Sequence, residues 1–107
     1  DLDFSYACFL AEQSAQKSLK AFLISKGKRF ITIHSVGELA KEAASFEEVF
    51  RSLVDGAKKM DRHYLASRYP DALPEPAIPA KSYVQDEAEE AIAIAKRIFE
   101  TAKNLIF

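Results

Sequence analysis

Apolar residues recur every three or four positions near the amino terminus of the chain, which is the spacing of one face of an α-helix. This pattern predicts a first long helix over residues 4–26. Gly27 follows it and suits the left-handed conformation that stops a helix, while Lys26 complements the negative end of the helix dipole. The apolar stripe consists of Phe4, Cys8, Ala11, Ala15, Leu19, Phe22 and Leu23.

A shorter stretch of helical spacing comes next. Residues 28–33 predict an extended connection, and a short helix is predicted from about Ser35 to Ala44. Either His34 or Ser35 would cap its N-terminus, where a side-chain oxygen can accept a hydrogen bond from a free backbone N–H. The apolar face of this helix consists of Val36, Leu39, Ala40 and Ala43.

A second long helix is predicted from about Phe46 to Ser67, with Ser45 as its N-cap. Gly56 lies inside it and costs about 1 kcal/mol relative to alanine. Either this glycine allows another helix to approach closely, or it is a tolerated exposed residue. The apolar positions of this helix are Phe46, Val49, Phe50, Leu53, Ala57, Met60 and Tyr64.

All four prolines fall within residues 69–81, which therefore predict a loop, because proline removes N–H donors and restricts the residue before it. The last helix is predicted from about Val84 to Ile106, with Ser82 as its cap and Gln85 at capping-box spacing. Its stripe is the most regular in the chain and consists of Val84, Ala88, Ala91, Ile92, Ala95, Ile98, Phe99, Ala102, Leu105 and Ile106.

These elements predict an all-α fold in one domain over residues 1–107. The expected architecture is an up-and-down antiparallel bundle of three long helices and one short helix, with the proline-rich loop before the last helix. The sequence shows no strand alternation and no internal repeat. Its composition, 49% hydrophobic and 29% charged, is that of a globular protein.

Charge and cysteine content narrow the function classes. Fifteen Lys and Arg residues against sixteen Asp and Glu give a net charge of −1, which excludes a protein that wraps DNA through bulk positive charge but leaves room for a local basic patch. The single cysteine, Cys8, cannot form an internal disulfide, and no spacing predicts a metal site or a cofactor. No membrane span or signal peptide is visible, so a cytoplasmic protein is expected.

Residues 61–71 form the most polar cluster outside the solvated helix faces. Tyr64 and Arg68 are four residues apart and share a helical face, with Asp61 before them and Tyr69 after. Aromatic and guanidinium groups at a helix end suit stacking on a base and pairing with a phosphate. The alternative is structural: the two tyrosines are half-buried, and the arginine braces the proline-rich loop.

A second candidate surface lies on the flank of the first helix, where Gln13, Lys17 and Lys20 are spaced by four and three. This face either binds a partner or a phosphate, or it is an ordinary solvated face. The short basic group Lys26, Lys28 and Arg29 could hold one phosphate, but three charges are too few to indicate nucleic-acid binding.

Arg29 and His34 are separated by four residues, a spacing that some metal-independent ribonucleases use. Such a pair can supply a general base and stabilise a transition state. The alternative is that His34 is a cap or packing residue. The sequence offers no glycine-rich phosphate loop and no Ser/His/Asp arrangement.

Four sequence blocks together resemble the HEPN family, the higher eukaryotes and prokaryotes nucleotide-binding domain. Residues 7–23 (ACFLAEQSAQKSLKAFL) look like its signature helix, and the turn at His34 matches its His-initiated short helix. Residues 60–64 (MDRHY) and 67–72 (SRYPDA) are similar to its Asp, Tyr and Arg-Tyr-Pro-Asp block. Tyr83 and residues 87–91 (EAEEA) resemble the opening of its last helix, so the resemblance covers nearly the whole chain.

The resemblance implies a helical bundle, commonly a homodimer, often encoded beside a minimal nucleotidyltransferase in a toxin–antitoxin-like pair. Many members are ribonucleases with an Arg, four to six residues and then His on the helix before the last one. After Arg62, those positions hold Ser67, Arg68 and Tyr69, and after Arg68 they hold Leu73, Pro74 and Glu75, none of them histidine. Relatives also usually have a helix before the signature block, whereas this sequence starts almost at that block, so either the helix is missing or the sequence is a trimmed portion. If the helix is missing, an apolar groove is left open, and another subunit would be expected to cover it.

The sequence therefore favours a non-catalytic, dimeric module that binds a nucleotide, RNA or a nucleotidyltransferase partner. The binding residues would be Gln13, Lys17, Lys20, Asp61, Tyr64, Arg68 and Tyr69. The alternatives are a metal-independent ribonuclease and a purely structural helical adaptor.

Overall fold

A computed structural model describes residues 4–68 and 85–107, with side chains for residues 4, 6–62 and 85–107. Every regular element in these ranges is helical, which confirms the predicted all-α class. The elements are α1 (Phe4–Ser25), α2 (Val36–Ala44), a 3₁₀ helix (Glu48–Leu53), α3 (Val54–Arg68) and α4 (Gln85–Ile106).

Helix α1 lies at the centre of the fold and packs against α2, α3 and α4. Its predicted stripe from Cys8 to Leu23 is buried. Gly27 ends it as predicted, in the left-handed region with φ +95°. The amide of Lys28 donates to the carbonyl of Leu23 (3.1 Å) and the amide of Gly27 to that of Ile24 (2.9 Å), which satisfies two of the last carbonyls of the helix.

Helix α2 begins after Ser35, which decides between the two predicted caps. Ser35 has extended backbone angles, and its hydroxyl accepts a hydrogen bond from the amide of Glu38 at 3.1 Å. His34 is exposed and lies just outside the helix. The predicted end of this helix at Ala44 is confirmed.

The prediction of one continuous helix from Phe46 with Ser45 as its N-cap is wrong. The amide of Ser45 donates to the carbonyls of Lys41 and Glu42, so this residue closes α2 instead of opening the next helix. Glu47 is extended, and the chain continues as the 3₁₀ helix before α3 begins at Val54.

The 3₁₀ helix changes which apolar residues of that segment reach the core. Its three-residue period places Phe50 and Leu53 on one side, and both are buried. The Phe50 ring packs against the ring of Phe22 in α1, with centroids 4.7 Å apart. Phe46 and Val49, which the sequence placed in the core, are exposed instead.

Helix α4 packs mainly against α1 through small residues. Its buried positions are Ala88, Ala91, Ala95, Ile98 and Ala102, as predicted. Three larger residues of the predicted stripe, Ile92, Phe99 and Leu105, are exposed instead. A narrow alanine face lets the two helices approach closely, and the bulkier neighbours are left at its rim.

Gly56 of α3 also permits a close approach, which decides between its two predicted roles. A Cβ atom at this position would lie 3.3 Å from three side-chain atoms of Ile94 in α4.

The proline-rich loop, the Ser82 cap and Val84 lie outside the described residues, and the up-and-down antiparallel order stays a prediction.

Candidate ligand-binding site

The carboxylate of Asp61 in α3 holds the N-terminus of α2. The hydroxyl of Ser35 donates to its Oδ2 at 2.7 Å, the amide of Val36 to Oδ1 at 2.7 Å, and the amide of Gly37 to Oδ2 at 3.1 Å. A negative charge at this end of a helix also complements the helix dipole. Asp61, one of the predicted binding residues, therefore connects α2 to α3.

Gly37 makes this contact between α2 and α3 possible. A Cβ atom here would lie 2.9 Å from Cγ of Lys58 and 3.1 Å from Oδ2 of Asp61. Real Cβ atoms essentially never lie as close to a neighbour as the 2.9 Å distance to Lys58, and the 3.1 Å distance to Asp61 is also unusually short. The absence of a side chain at this position thus lets the carboxylate reach two backbone amides.

A second polar connection joins α1 to the residue before Ser35. Nε2 of Gln16 donates to the backbone carbonyl of His34 at 2.8 Å and to Oε2 of Glu12 at 3.2 Å. Nε2 of Gln13 donates to Oε1 of Glu12 at 2.8 Å. We call Glu12, Gln13, Gln16, Ser35 and Asp61 the junction cluster, because they link α1, α2 and α3 through neighbouring residues.

Glu12 is the most buried charged side chain among the described residues, at 1% exposure. Burying a carboxylate is costly unless it is hydrogen-bonded, and both of its oxygens accept from glutamine amides. The sequence interpretation missed Glu12 and Gln16. The available signal was their spacing, because they follow Cys8 by four and eight residues and so interrupt the apolar stripe with polar groups.

The predicted face of Gln13, Lys17 and Lys20 divides into two environments. Gln13 belongs to the junction cluster, whereas Lys17 is exposed. Lys20 lies two turns after Gln13 and lines a cleft with Lys28 and Phe30 of the α1–α2 connection. The structure therefore does not gather these three side chains around one site.

Two other predicted residues, Tyr64 and Arg68, belong to the last turns of α3. Their side chains, and the whole of Tyr69, lie outside the described residues. The spacing of three and seven from Asp61 puts positions 64 and 68 on the same side of α3 as the junction cluster.

Arg29 and His34 have separate surroundings. Nη1 of Arg29 donates to the carbonyl of Lys28 at 2.9 Å, while the His34 carbonyl accepts from Gln16. Among the described residues, no hydrogen bond joins Arg29 to His34. The two half-buried isoleucines between them, Ile31 and Ile33, pack against the core.

Cys8 is buried in α1. Burial, and then the negative charge of Glu87, raise the pKa of its thiol from 9.0 to about 11. The thiolate is the nucleophilic form, so this thiol is inert near neutral pH. Within residues 4–68 and 85–107, no three His, Cys, Asp or Glu side chains come together as metal ligands, and no helix is long and apolar enough to cross a membrane.

An apolar groove of about 430 Å³ runs between α1 and α4. Alanines form its floor, and large residues that are about half exposed form its rim, including Leu10, Ile92 (49% exposed) and Phe99 (46%). A contiguous exposed apolar surface of this kind is typical of a protein–protein contact.

Comparison with known proteins agrees with this helical architecture. The sequence profile described as "HEPN domain" matches residues 1–105 of the 107-residue chain. No curated protein and no solved structure gives a significant match. Because the profile covers almost the whole length, the chain belongs to the HEPN domain family.

Proposed function

We propose that this chain is a non-catalytic, dimeric HEPN module of the cytoplasm that binds a nucleotide or a nucleotidyltransferase partner in a toxin–antitoxin-like pair. The observation that carries the proposal is the anchoring of α3 by Asp61 to the start of α2. This contact fixes the direction of the helix whose last turns carry Tyr64 and Arg68. A rigid element positions ligand-binding groups better than a mobile loop does.

The junction cluster supplies a polar environment next to these turns. Ser35 contacts Asp61, and its neighbour His34 contacts Gln16 through the carbonyl. Tyr64 comes almost one turn after Asp61, and Glu12 one turn before Gln16. The antiparallel packing that the sequence predicts would bring those two turns side by side. There a tyrosine ring could stack on a base while an arginine pairs with a phosphate.

Binding is favoured over ribonuclease activity by the sequence of α3. Neither Arg62 nor Arg68 is followed by histidine at the spacing that the family's ribonucleases use. The pair with that spacing, Arg29 and His34, lies in the connection before α2, and His34 contributes its carbonyl to the fold. A general base must come within hydrogen-bond reach of the substrate together with its partner, and nothing described holds these two together.

The groove between α1 and α4 supports the dimer. A second copy of the chain would cover Leu10, Ile92 and Phe99, removing large apolar side chains from water. Symmetric dimers commonly form through such a self-complementary apolar patch. The groove is lined by α1 and α4, so a dimer formed there leaves the Asp61 face of α2 and α3 available for a ligand or a second protein.

Calorimetric titration with ATP tests the binding site. We expect Arg68→Ala to abolish binding while circular dichroism and the melting temperature stay unchanged. Arg51→Ala is the matched control, because Arg51 is exposed and pairs with Glu48 within its own helix. The partner is tested by co-purification with the nucleotidyltransferase encoded in the neighbouring reading frame, where one is present.

Two results would count against the proposal. If the purified chain binds neither ATP nor a nucleotidyltransferase, the structural adaptor is the better description. If it cleaves RNA and the cleavage is lost in His34→Ala or His63→Ala, the chain is a ribonuclease despite the missing motif.

A further inference from the structure

Positive charge is concentrated in one continuous stretch of this slightly acidic protein. Residues 13–37 contain five of the fifteen Lys and Arg residues and none of the sixteen Asp and Glu residues. The five are Lys17, Lys20, Lys26, Lys28 and Arg29. They follow the second half of α1 and the connection to α2, so this end of the molecule has a local positive potential that the net charge of −1 conceals.

Phe30 directly follows Arg29, the last of these five cations, and is 96% exposed. Its φ of +57° makes it the one residue other than glycine with positive φ among those described. The left-handed region is unfavourable for a bulky residue, and a side chain this exposed gains no packing in return. Backbone strain of this kind is concentrated at functional sites. Ligand binding by the exposed ring would explain why the fold retains this strained backbone conformation.

Two clefts flank the ring, and both are lined by Lys28, Arg29, Phe30 and Ile31. The larger, of about 250 Å³, also includes Lys20 and Ile24 of α1. The smaller, of about 140 Å³, extends towards α2. An exposed aromatic ring between two clefts can present each of its faces to a separate planar group.

The charges around the clefts select an anionic ligand. Nζ of Lys28 pairs with Glu42 at 2.9 Å, which neutralises that lysine. Lys20 and Arg29 have no carboxylate partner in the described part of the chain. Both residues line the larger cleft and could contact phosphates while Phe30 contacts bases.

We propose that this surface, the Phe30 loop (Lys20, Ile24 and residues 28–31), binds single-stranded nucleic acid. Successive bases stack against the two faces of Phe30, and the backbone phosphates pair with Lys20 and Arg29. Aromatic stacking combined with cations that follow the backbone is the usual way in which proteins hold single strands.

This proposal goes beyond the α3 binding site and does not depend on it. Fluorescence anisotropy with labelled oligo-uridine and oligo-deoxythymidine of about twelve nucleotides tests it. We expect Phe30→Ala to weaken binding by about tenfold or more, and Phe30→Tyr to retain binding, since tyrosine keeps the stacking ring. Phe107→Ala is the matched control, because Phe107 is 99% exposed and lies far along the sequence from the basic stretch.

The contribution of the positive charges to oligonucleotide binding is measured separately, by the salt dependence of the affinity. The logarithm of the affinity should fall linearly with the logarithm of the salt concentration, and Arg29→Ala should reduce the slope by about 0.7, the value for one phosphate contact on a single strand. Arg97→Ala, an exposed arginine of α4, should leave the slope unchanged. A difference between oligo-uridine and oligo-deoxyuridine, which share the same base, would show whether the ribose hydroxyl contributes.

The proposal would be overturned if neither oligonucleotide binds at about 50 mM salt. It would also be overturned if Phe30→Ala and Phe107→Ala lose the same amount of oligonucleotide affinity. A third contrary outcome is binding to phosphatidylserine vesicles that depends on Phe30 while oligonucleotide binding does not. Arg68→Ala separates the two sites. We expect it to abolish ATP binding and to leave oligonucleotide binding intact, so either proposal can fail alone.

Discussion

Ser35 and Asp61 are 26 residues apart in the chain and are joined by a 2.7 Å hydrogen bond from the Ser35 hydroxyl to the Asp61 carboxylate. The same hydroxyl accepts from the amide of Glu38. The amides of Val36 and Gly37 donate to the carboxylate directly. Three free amides at the start of α2 are thus satisfied by two side chains, one local and one from α3.

Removal of the Asp61 carboxylate should destabilise the fold. Asp61→Ala leaves the amides of Val36 and Gly37 without their acceptor, and we expect the free energy of unfolding to fall by about 2 kcal/mol. Urea denaturation measures this, with Glu48→Ala as an exposed carboxylate control. Ser35→Ala should cost about 1 kcal/mol, and the double variant should lose less than the sum because the two side chains act together. Strict additivity would contradict the shared cap.

Gly37→Ala should be destabilising although alanine normally favours a helix. The new Cβ would meet Cγ of Lys58, and we expect a loss of about 1 kcal/mol in the free energy of unfolding. Lys58→Ala removes the obstructing atom, so Gly37→Ala should cost clearly less in that background. An equal cost in both backgrounds would mean that Lys58 does not limit the approach.

Phe30→Gly should stabilise the protein while it removes the proposed stacking ring. Glycine adopts positive φ without steric cost, and Phe30 has almost no packing to lose. We expect the free energy of unfolding to rise by about 1 kcal/mol, measured by chemical denaturation. Phe107→Gly should not share this gain. A stability loss in Phe30→Gly would show that the ring supports the fold and is not held there for binding.

The proposed dimer should depend on the groove between α1 and α4. Ile92→Glu places a charge on its rim and should convert the dimer to a monomer, which analytical ultracentrifugation detects. Val49→Glu is the matched control, since Val49 is an exposed apolar residue (53%) of the 3₁₀ helix outside this groove. A monomeric wild-type chain at high protein concentration would contradict the dimer.

The stability should decrease at alkaline pH because of Cys8. Its thiol pKa is 9.0 when unfolded and about 11 when folded, so between these values the folded state binds more protons than the unfolded state. By linkage, the free energy of unfolding is unaffected below pH 9 and falls as the pH rises towards 11, by roughly 2–3 kcal/mol in total. Cys8→Ala should lack this part of the pH dependence, and an identical pH profile in both proteins would contradict it.

Local patterns predicted the helices where neighbouring residues in the sequence determine the structure. The stop at Gly27 follows from backbone preference, and the position of the α2 cap was narrowed to His34 or Ser35, of which the structure selects Ser35. The buried alanines of α4 follow from helical spacing. The candidate site was predicted less completely. Asp61 was expected to bind a ligand, whereas in the structure its carboxylate accepts hydrogen bonds from residues of α2 more than twenty positions away in the sequence.

The sequence by itself determined that this protein is helical, where α1, α2 and α4 run, and that it resembles the HEPN family, because period and capping act within a few residues. Only the tertiary structure decided that Ser45 closes one helix, that Glu12 is buried between glutamines, and that Ile92 and Phe99 stay on the surface. Those outcomes depend on which helices meet and how closely. The position of a residue along the sequence predicts which face of its helix it occupies, but not which side chains of a neighbouring helix pack around it.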